Sequence, residues 1–267
     1  MMHWLKPSYA ALKLEISHDL SYRLKIFSWM LADILQPLIF AYLWSSVARY
    51  QGNVDQAVEV FSYFFFFMIV TRIAQDWSIF SVTDSIMNGE FGQHLLRPVN
   101  YMFMYGGRSA GLKLFRLAIF LPVALAISFA WRDRLIVDMN LERAIGLLFA
   151  IVIAIGANYM IGHIFALAAF YMENVRGIRT MFVNTLSLVT GEYIPIALLV
   201  SGVLLLIWEY LPFRYIYSFP VEILIGNVDR DGIFRGLLIG GAYLSFSVVF
   251  YKIFIKKALS RYETEGG

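Results

Sequence analysis

Ionisable side chains inside long apolar stretches are the first candidates for chemistry in this sequence. Asp33, Arg72, Asp76 and His163 each lie in such a stretch. Charges there are costly, and they usually face a bundle interior or a water-filled path. Arg72 and Asp76 are four residues apart, so they can pair on one helix face. Asp33 and Arg72 lie at similar depth, which predicts a salt bridge between the first two apolar helices; a role in substrate binding or gating is the alternative.

His163 shares its stretch with Asn158. We interpret it as a hydrogen-bonded packing residue, with a proton relay as the alternative.

Catalytic motifs are missing from the sequence. The nearest match to a phosphate-binding loop is GGRSAGLK at 106–113, where Leu112 separates the second glycine from the lysine and Leu114 replaces the required hydroxyl. We therefore expect no ATP hydrolysis by this chain. The four histidines are scattered, and the absence of cysteine excludes thiolate metal sites. No catalytic, cofactor-binding or metal-binding residues are predicted.

The composition indicates that lipid surrounds most of the chain. Of its 267 residues 60% are hydrophobic, 17% aromatic and 15% charged, and the mean hydropathy is +0.66. Soluble domains are typically about 45–50% apolar. The net charge of +3 is small and not clustered, which argues against nucleic acid as a partner.

We predict one all-α integral membrane domain over 1–267 with six transmembrane helices. The predicted spans are 24–47, 60–82, 112–131, 144–171, 178–194 and 233–255. One side carries roughly twice as many basic residues as the other, so both termini are expected to be cytoplasmic.

The pattern between the fourth and last spans is broken. Gly191 and Pro195 interrupt two apolar runs, each of which is short for a span. We interpret the residues at 195–228 as a re-entrant pair of short extracellular helices. The alternative is a plain fifth span from Pro195 to Tyr210 with a surface loop on each side.

Two further segments have amphipathic patterns. Apolar residues recur at helical spacing within 1–23, which predicts an interfacial helix that either lies on the membrane or packs on the protein. In the connection 84–97, Met87, Phe91 and Leu95 form a stripe that Ile86 and Leu96 widen. Another polypeptide could cover this stripe, or the stripe could seal the end of its own bundle.

The connection carries a resemblance to a known family. IMNGEFGQHLLRPVNY at 86–101 resembles the link between the second and third helices of ABC exporter permeases of the type-2 class. A second stretch at 191–226 is similar to the broken extracellular helices of that family. The residues that carry the two similarities are Ile86, Gly89, Glu90, Leu95, Leu96, Arg97, Pro98 and Val99, then Ile194, Pro195, Leu211, Pro212, Phe213, Pro220 and Gly226.

The resemblance implies a permease subunit in a bacterial cytoplasmic (inner) membrane. Such a subunit pairs with a second copy or a paralogous permease and is driven by separate ABC ATPase subunits, which bind ATP and Mg²⁺. The segment 84–97 would then be the coupling helix. Its expected contact residues are Ile86, Met87, Glu90, Phe91, Leu95, Leu96 and Arg97.

The resemblance does not supply a substrate. An alternative from another class is a stand-alone proton-coupled carrier or intramembrane enzyme built on Asp33, Arg72, Asp76 and His163.

Overall fold

A computed structural model of the chain describes residues 23–96, 100–172, 175–195 and 203–260. Apart from Arg23, the predicted interfacial helix at 1–23 lies outside these residues. Throughout the described part the chain forms helices and turns without strands, which confirms the all-α class there. The helices are α1 Arg23–Tyr50, α2 Val54–Ala74, α3 Ser78–Met87, α4 Phe91–Leu95, α5 Tyr101–Ala130, α6 Leu141–Ala166, α7 Arg176–Val189, α8 Val203–Tyr210, α9 Ser218–Ile225 and α10 Arg230–Leu259, and 3-10 turns lie at Arg132–Arg134, Leu167–Phe170 and Pro212–Ile216.

Four of the long helices begin at a side-chain cap. Asn53, Asn100, Asn140 and Asp229 each accept a hydrogen bond from a backbone N–H in the first turn of the helix that follows, at 2.8 to 3.0 Å. Such caps satisfy donors that a helix leaves unpaired. The cap at Asn100 explains why α5 begins at Tyr101, well before the predicted start at residue 112.

Five of the described helices are long and apolar enough to cross a membrane. They are Leu31–Tyr50, Val54–Ala74, Tyr101–Ala130, Leu141–Phe170 and Arg230–Leu259. The segment predicted as the fifth of six spans, 178–194, overlaps α7, which has 14 residues. At 1.5 Å per residue α7 is about 21 Å long, which is shorter than the roughly 30 Å of a bilayer core.

The second predicted span differs from the structure because its helix is interrupted. We predicted one helix over 60–82, but α2 ends at Ala74 and α3 begins at Ser78. The Asp76 carboxylate accepts the backbone N–H of Ser78, the first residue of the new helix, at 2.8 Å. We refer to residues 75–77 as the α2–α3 break.

α2 lies at the centre of the bundle. Phe64, Phe65, Phe67 and Met68 have at most 1% of their surface exposed. They belong to one core cluster with residues of α1, α5, α6 and α9. The helices around α2 therefore leave their outer faces to lipid.

The contacts define two ends of the bundle. At the α9 end, Asn227 of the link after α9 donates to Glu59 near the start of α2, at 2.5 Å. At the α4 end, Arg179 near the start of α7 donates to Asp84 near the end of α3, at 2.8 Å. Ala258 near the end of α10 is buried together with Leu167, which follows α6. The last helix therefore runs from the α9 end to the α4 end.

The segment 212–225 belongs to the core. Ile216, Phe219 and Ile223 have at most 2% of their surface exposed. Adding a Cβ atom to Gly236 would place it 2.2 Å from the Phe219 ring, so α10 and α9 approach closely there. These residues do not form the surface loop of our alternative interpretation, and residues 196–202 lie outside the described part.

Candidate functional site

The connection between α3 and α4 forms a sharp turn at the α4 end. Gly89 has φ +74°, a backbone conformation that glycine adopts without strain. Its N–H donates to the carbonyl of Ile86 at 3.1 Å, and the Glu90 N–H donates to the carbonyl of Ser85 at 2.9 Å. The single helix predicted over 84–97 is therefore divided into α3 and α4, because these bonds end α3 and reverse the chain.

One side of this turn is buried in the bundle. Ile86 is 7% exposed and Phe91 is 0% exposed. The Phe91 ring lies 5.0 Å from the ring of Tyr101 and 5.5 Å from that of Phe170, centroid to centroid. Phe91 has no exposed surface in this structure, and our expectation that it contacts a partner stays a prediction. Phe91 holds the turn on the bundle.

The other side of the turn is exposed. Leu96 is 88% exposed and Leu95 is 43% exposed, and Glu90 and Gln93 are also exposed. We call these four residues the turn surface. Met87 is half-buried, and Arg97 lies outside the described residues. The apolar stripe has one edge at Ile86 and Phe91 and another at Leu95 and Leu96. The sequence could not show which of these edges the bundle covers.

Two arginines of α7 tie α3 in place. Arg179 has 8% of its side chain exposed and donates to the Asp84 carboxylate at 2.8 Å and to the Phe80 carbonyl at 3.3 Å. Its guanidinium also lies 4.5 Å from the centre of the Phe80 ring. Arg176 donates to Asp84 at 3.3 Å and to Asn88 at 2.9 Å. Sequence reasoning missed this link, although two arginines three residues apart at a helix start were a usable signal.

The predicted intramembrane charges fall into separate contacts. Arg72 lies 2.5 Å from Asp33, with 12% and 23% of the two side chains exposed. This ion pair joins α1 to α2. Arg72 and Asp76, both of which the structure describes, do not pair, because the α2–α3 break ends the helix that their four-residue spacing requires.

Asp76 instead connects the break to α5. Its side chain is 1% exposed, accepts a hydrogen bond from the Ser109 hydroxyl, and lies 3.6 Å from the Lys113 ammonium. That ammonium also lies 3.5 Å from the Ala74 carbonyl at the end of α2. The break is therefore held by charged and polar contacts from a neighbouring helix.

His163 is buried and bonded mainly within its own helix. It is 1% exposed, and its Nδ1 lies 2.9 Å from the Tyr159 carbonyl and 3.5 Å from the Ser78 hydroxyl. Asn158 donates to the Ala154 carbonyl and accepts from the Tyr217 hydroxyl. The His163 Nε2 is buried without a hydrogen-bond partner among the described residues, and the packing interpretation stays a prediction. Among the described residues no direct contact joins the Asp33–Arg72 pair, Asp76 and His163.

A comparison with protein families gives one match. The family described as ABC-2 family transporter protein matches residues 31–266. Neither the curated proteins nor the solved structures contain a match to this chain. The family match covers most of the sequence and includes every candidate span. The chain therefore belongs to the ABC-2 family of transporters and is a membrane permease of an ABC transporter.

Proposed function

We propose that the chain is the permease subunit of an ATP-driven exporter in a bacterial cytoplasmic membrane. In this proposal two permeases, identical or paralogous, form the substrate pathway, and two separate ATPase subunits dock below them. Family membership supports transport and an ABC ATPase partner. The excess of basic residues on the α4 side supports cytoplasmic termini.

The turn surface is the observation that carries the proposal. It places Leu96, 88% exposed, at the end of the bundle where an ATPase would dock. An apolar side chain left in water is typical of an interaction site when it belongs to a larger patch, and Leu95 extends it. The buried side of the same turn fixes the turn to the bundle. Movement of a docked ATPase would therefore move the helices of the bundle as well.

Two contacts supply the path of transmission. The Asp84–Arg179 ion pair connects the turn to α7, and the Asp76 contacts connect the other end of α3 to α5. Between them, a cleft is lined by Gln75, Asn158 and Glu192, among other residues. ATPase closure would shift α3 and α7 on either side of this cleft, which we propose as part of the substrate pathway.

The chain path supports α7 as the first part of a sixth crossing. Arg179 contacts α3 at the α4 end, whereas the carbonyl of Thr190, just after α7, accepts from Ser218 at the start of α9 at 2.6 Å. Ser218 contacts Tyr63 in the middle of α2, so the chain passes from the α4 end to about the middle of the bundle over a short helix. The core position of 212–225 supports the re-entrant arrangement, because buried backbone at that depth must be covered by protein.

The test is co-purification of an ATPase with Walker motifs from native membranes, using the tagged chain and Leu96→Asp. The new carboxylate would enter an apolar groove of the ATPase without a hydrogen-bond partner, and the apolar contact of Leu96 would be lost. We therefore expect the amount of captured ATPase to fall at least about tenfold. Val137→Asp is the matched control, since Val137 is 56% exposed in a loop at the α9 end.

Full capture and full transport with Leu96→Asp would contradict the docking assignment. Phe91→Asp is unsuitable for this test because it would place a charge in the core and unfold the turn.

A further inference from the structure

A polar cavity of about 240 Å³ opens at the α9 end of the bundle. Its walls come from the end of α8, the 3-10 turn at Pro212–Ile216 and the first part of α10. The charged residues in the wall are Glu209, Arg214, Asp229 and Arg235. The cavity lies at the opposite end from the turn surface and takes no part in the proposed coupling.

Hydrogen bonds fix the wall that carries Glu209. The Tyr215 hydroxyl donates to the Glu209 carbonyl at 2.7 Å, and the Tyr243 hydroxyl donates to the Tyr210 carbonyl at 2.6 Å. Both bonds hold the last residues of α8, so the Glu209 side chain projects from a fixed backbone. A site built on a held backbone needs little ordering when a ligand binds.

Two charges of the wall make no direct contact with an opposite charge. Arg214 donates twice to Glu222, at 2.9 and 2.5 Å, and Asp229 caps α10. Within the described part of the chain, neither the Glu209 carboxylate nor the Arg235 guanidinium has an ion pair or a hydrogen bond, although Arg214 lies close enough to Glu209 to attract it. The cavity therefore presents one carboxylate and one guanidinium that are free to bind a ligand directly.

Arg235 lies near the start of α10, where a helix that crosses a bilayer would pass through the headgroup layer. It lies five residues after the start of α10, or about 7.5 Å along the helix axis, and the polar layer of a bilayer is roughly 5–8 Å thick. Gly232, Gly236 and Ile239 lie on the same helix face. Phe219 packs on Gly236 and Val228 packs on Gly232, so these neighbours complete the wall beside Arg235. Ile239 lies one turn deeper.

We propose that this cavity binds the headgroup of a zwitterionic aminophospholipid, with its phosphate on Arg235 and its ammonium on Glu209. The charge balance favours this class over two others. The charged residues of the wall are Arg214 and Arg235 with two positive charges and Glu209 and Asp229 with two negative charges, so the wall is neutral. A neutral wall that offers a carboxylate and a guanidinium, each free of ion pairs, matches a headgroup with both charges better than an anionic headgroup or a simple cation.

Native mass spectrometry of the purified full chain in detergent tests the proposal. The probes are phosphatidylethanolamine and phosphatidylglycerol with identical acyl chains. We expect the unmodified chain to prefer phosphatidylethanolamine by about tenfold. Glu209→Gln should abolish this preference, and Arg235→Gln should weaken the binding of both lipids. Arg230→Gln is the control, because Arg230 is 82% exposed, lies close by in sequence and pairs with Glu142 outside the cavity wall.

Equal binding of the two lipids by the unmodified chain would overturn the proposal, as would an unchanged preference in Glu209→Gln. Thermal unfolding without added lipid shows that the variants are folded. Soluble phosphoethanolamine forms a further arm. If it displaces the lipid at equal concentration, the site takes a free metabolite and the lipid assignment is wrong. None of these outcomes depends on ATPase docking.

Discussion

The ion pair between Asp33 and Arg72 gives the sharpest test of the bundle's energetics. Its charged atoms are 2.5 Å apart, and 23% and 12% of the side chains are exposed. The Arg72 Nε is buried without a hydrogen-bond partner among the described residues. Asp33→Leu would therefore leave a largely enclosed guanidinium without its anion.

Removing one partner of a buried pair lowers the free energy of unfolding by about 3–5 kcal/mol. Asp33 is partly exposed, so water can partly solvate Arg72 after the substitution. We therefore expect Asp33→Leu to lower the free energy of unfolding by about 3 kcal/mol. The double variant Asp33→Leu with Arg72→Leu removes both charges and places two apolar side chains between apolar helices. We expect it to lose about 1 kcal/mol or less, because replacing both members of a buried pair is often neutral.

The assay is unfolding of the purified chain in mixed micelles, followed by the fluorescence of its six tryptophans, for the unmodified chain, both single variants and the double variant. A coupling free energy of about 2–3 kcal/mol is the expected result of the cycle. Additive effects of the two single variants would refute the ion pair as a stabilising contact. A double variant that is stable but does not transport would refute the purely structural interpretation and assign the pair a role in gating.

Two further predictions concern the contact between α3 and α7 and the packing of α10 on α9. Arg179→Met should retain the captured ATPase but lower transport at least about fivefold, because it cuts the buried link from α3 to α7 and leaves the turn surface intact. Arg176→Gln is its exposed control, and equal transport by the two variants would contradict the link. Gly236→Ala should destabilise the chain by about 1–3 kcal/mol in the same unfolding assay, since its Cβ atom would overlap the Phe219 ring. Gly241→Ala should not destabilise the chain, because no atom lies within 4 Å of the added Cβ. Equal destabilisation by the two glycine substitutions would refute the close approach of α9 and α10.

The class of the fold followed from composition, while the ends of its elements did not. Sixty per cent apolar residues and few charges leave a helical bundle in lipid as the simplest structure. The ends depend on local bonds that hydropathy does not register. Asn100 starts α5 by capping it, so Lys113 and Arg116 lie inside a helix whose predicted span began at residue 112.

The position of the α3–α4 connection along the chain was predictable, but the side of it that faces the bundle was not. Gly89, Glu90 and the stripe of apolar residues beside them located the connection, although the sequence predicted one helix where the structure has a turn. The sequence could not divide the stripe, because Phe91 and Leu95 have the same spacing and chemistry, and only the packing of Tyr101 and Phe170 covers Phe91. Asp76 shows the same limit, since its partners Ser109 and Lys113 come from another helix.

The α2–α3 break gives the coupling proposal its mechanical form. α2 is locked in the aromatic core, and α3, about 15 Å long over its ten residues, is held at one end by Asp84 and at the other by Asp76. A continuous helix would carry a push on the turn directly into the core, which is close-packed and resists deformation. With the helix interrupted at 75–77, we propose that the same push would rotate α3 about the break, and that the Asp84–Arg179 pair would transfer this rotation to α7. The short helix beside the cleft would then move, and the core around α2 would stay in place.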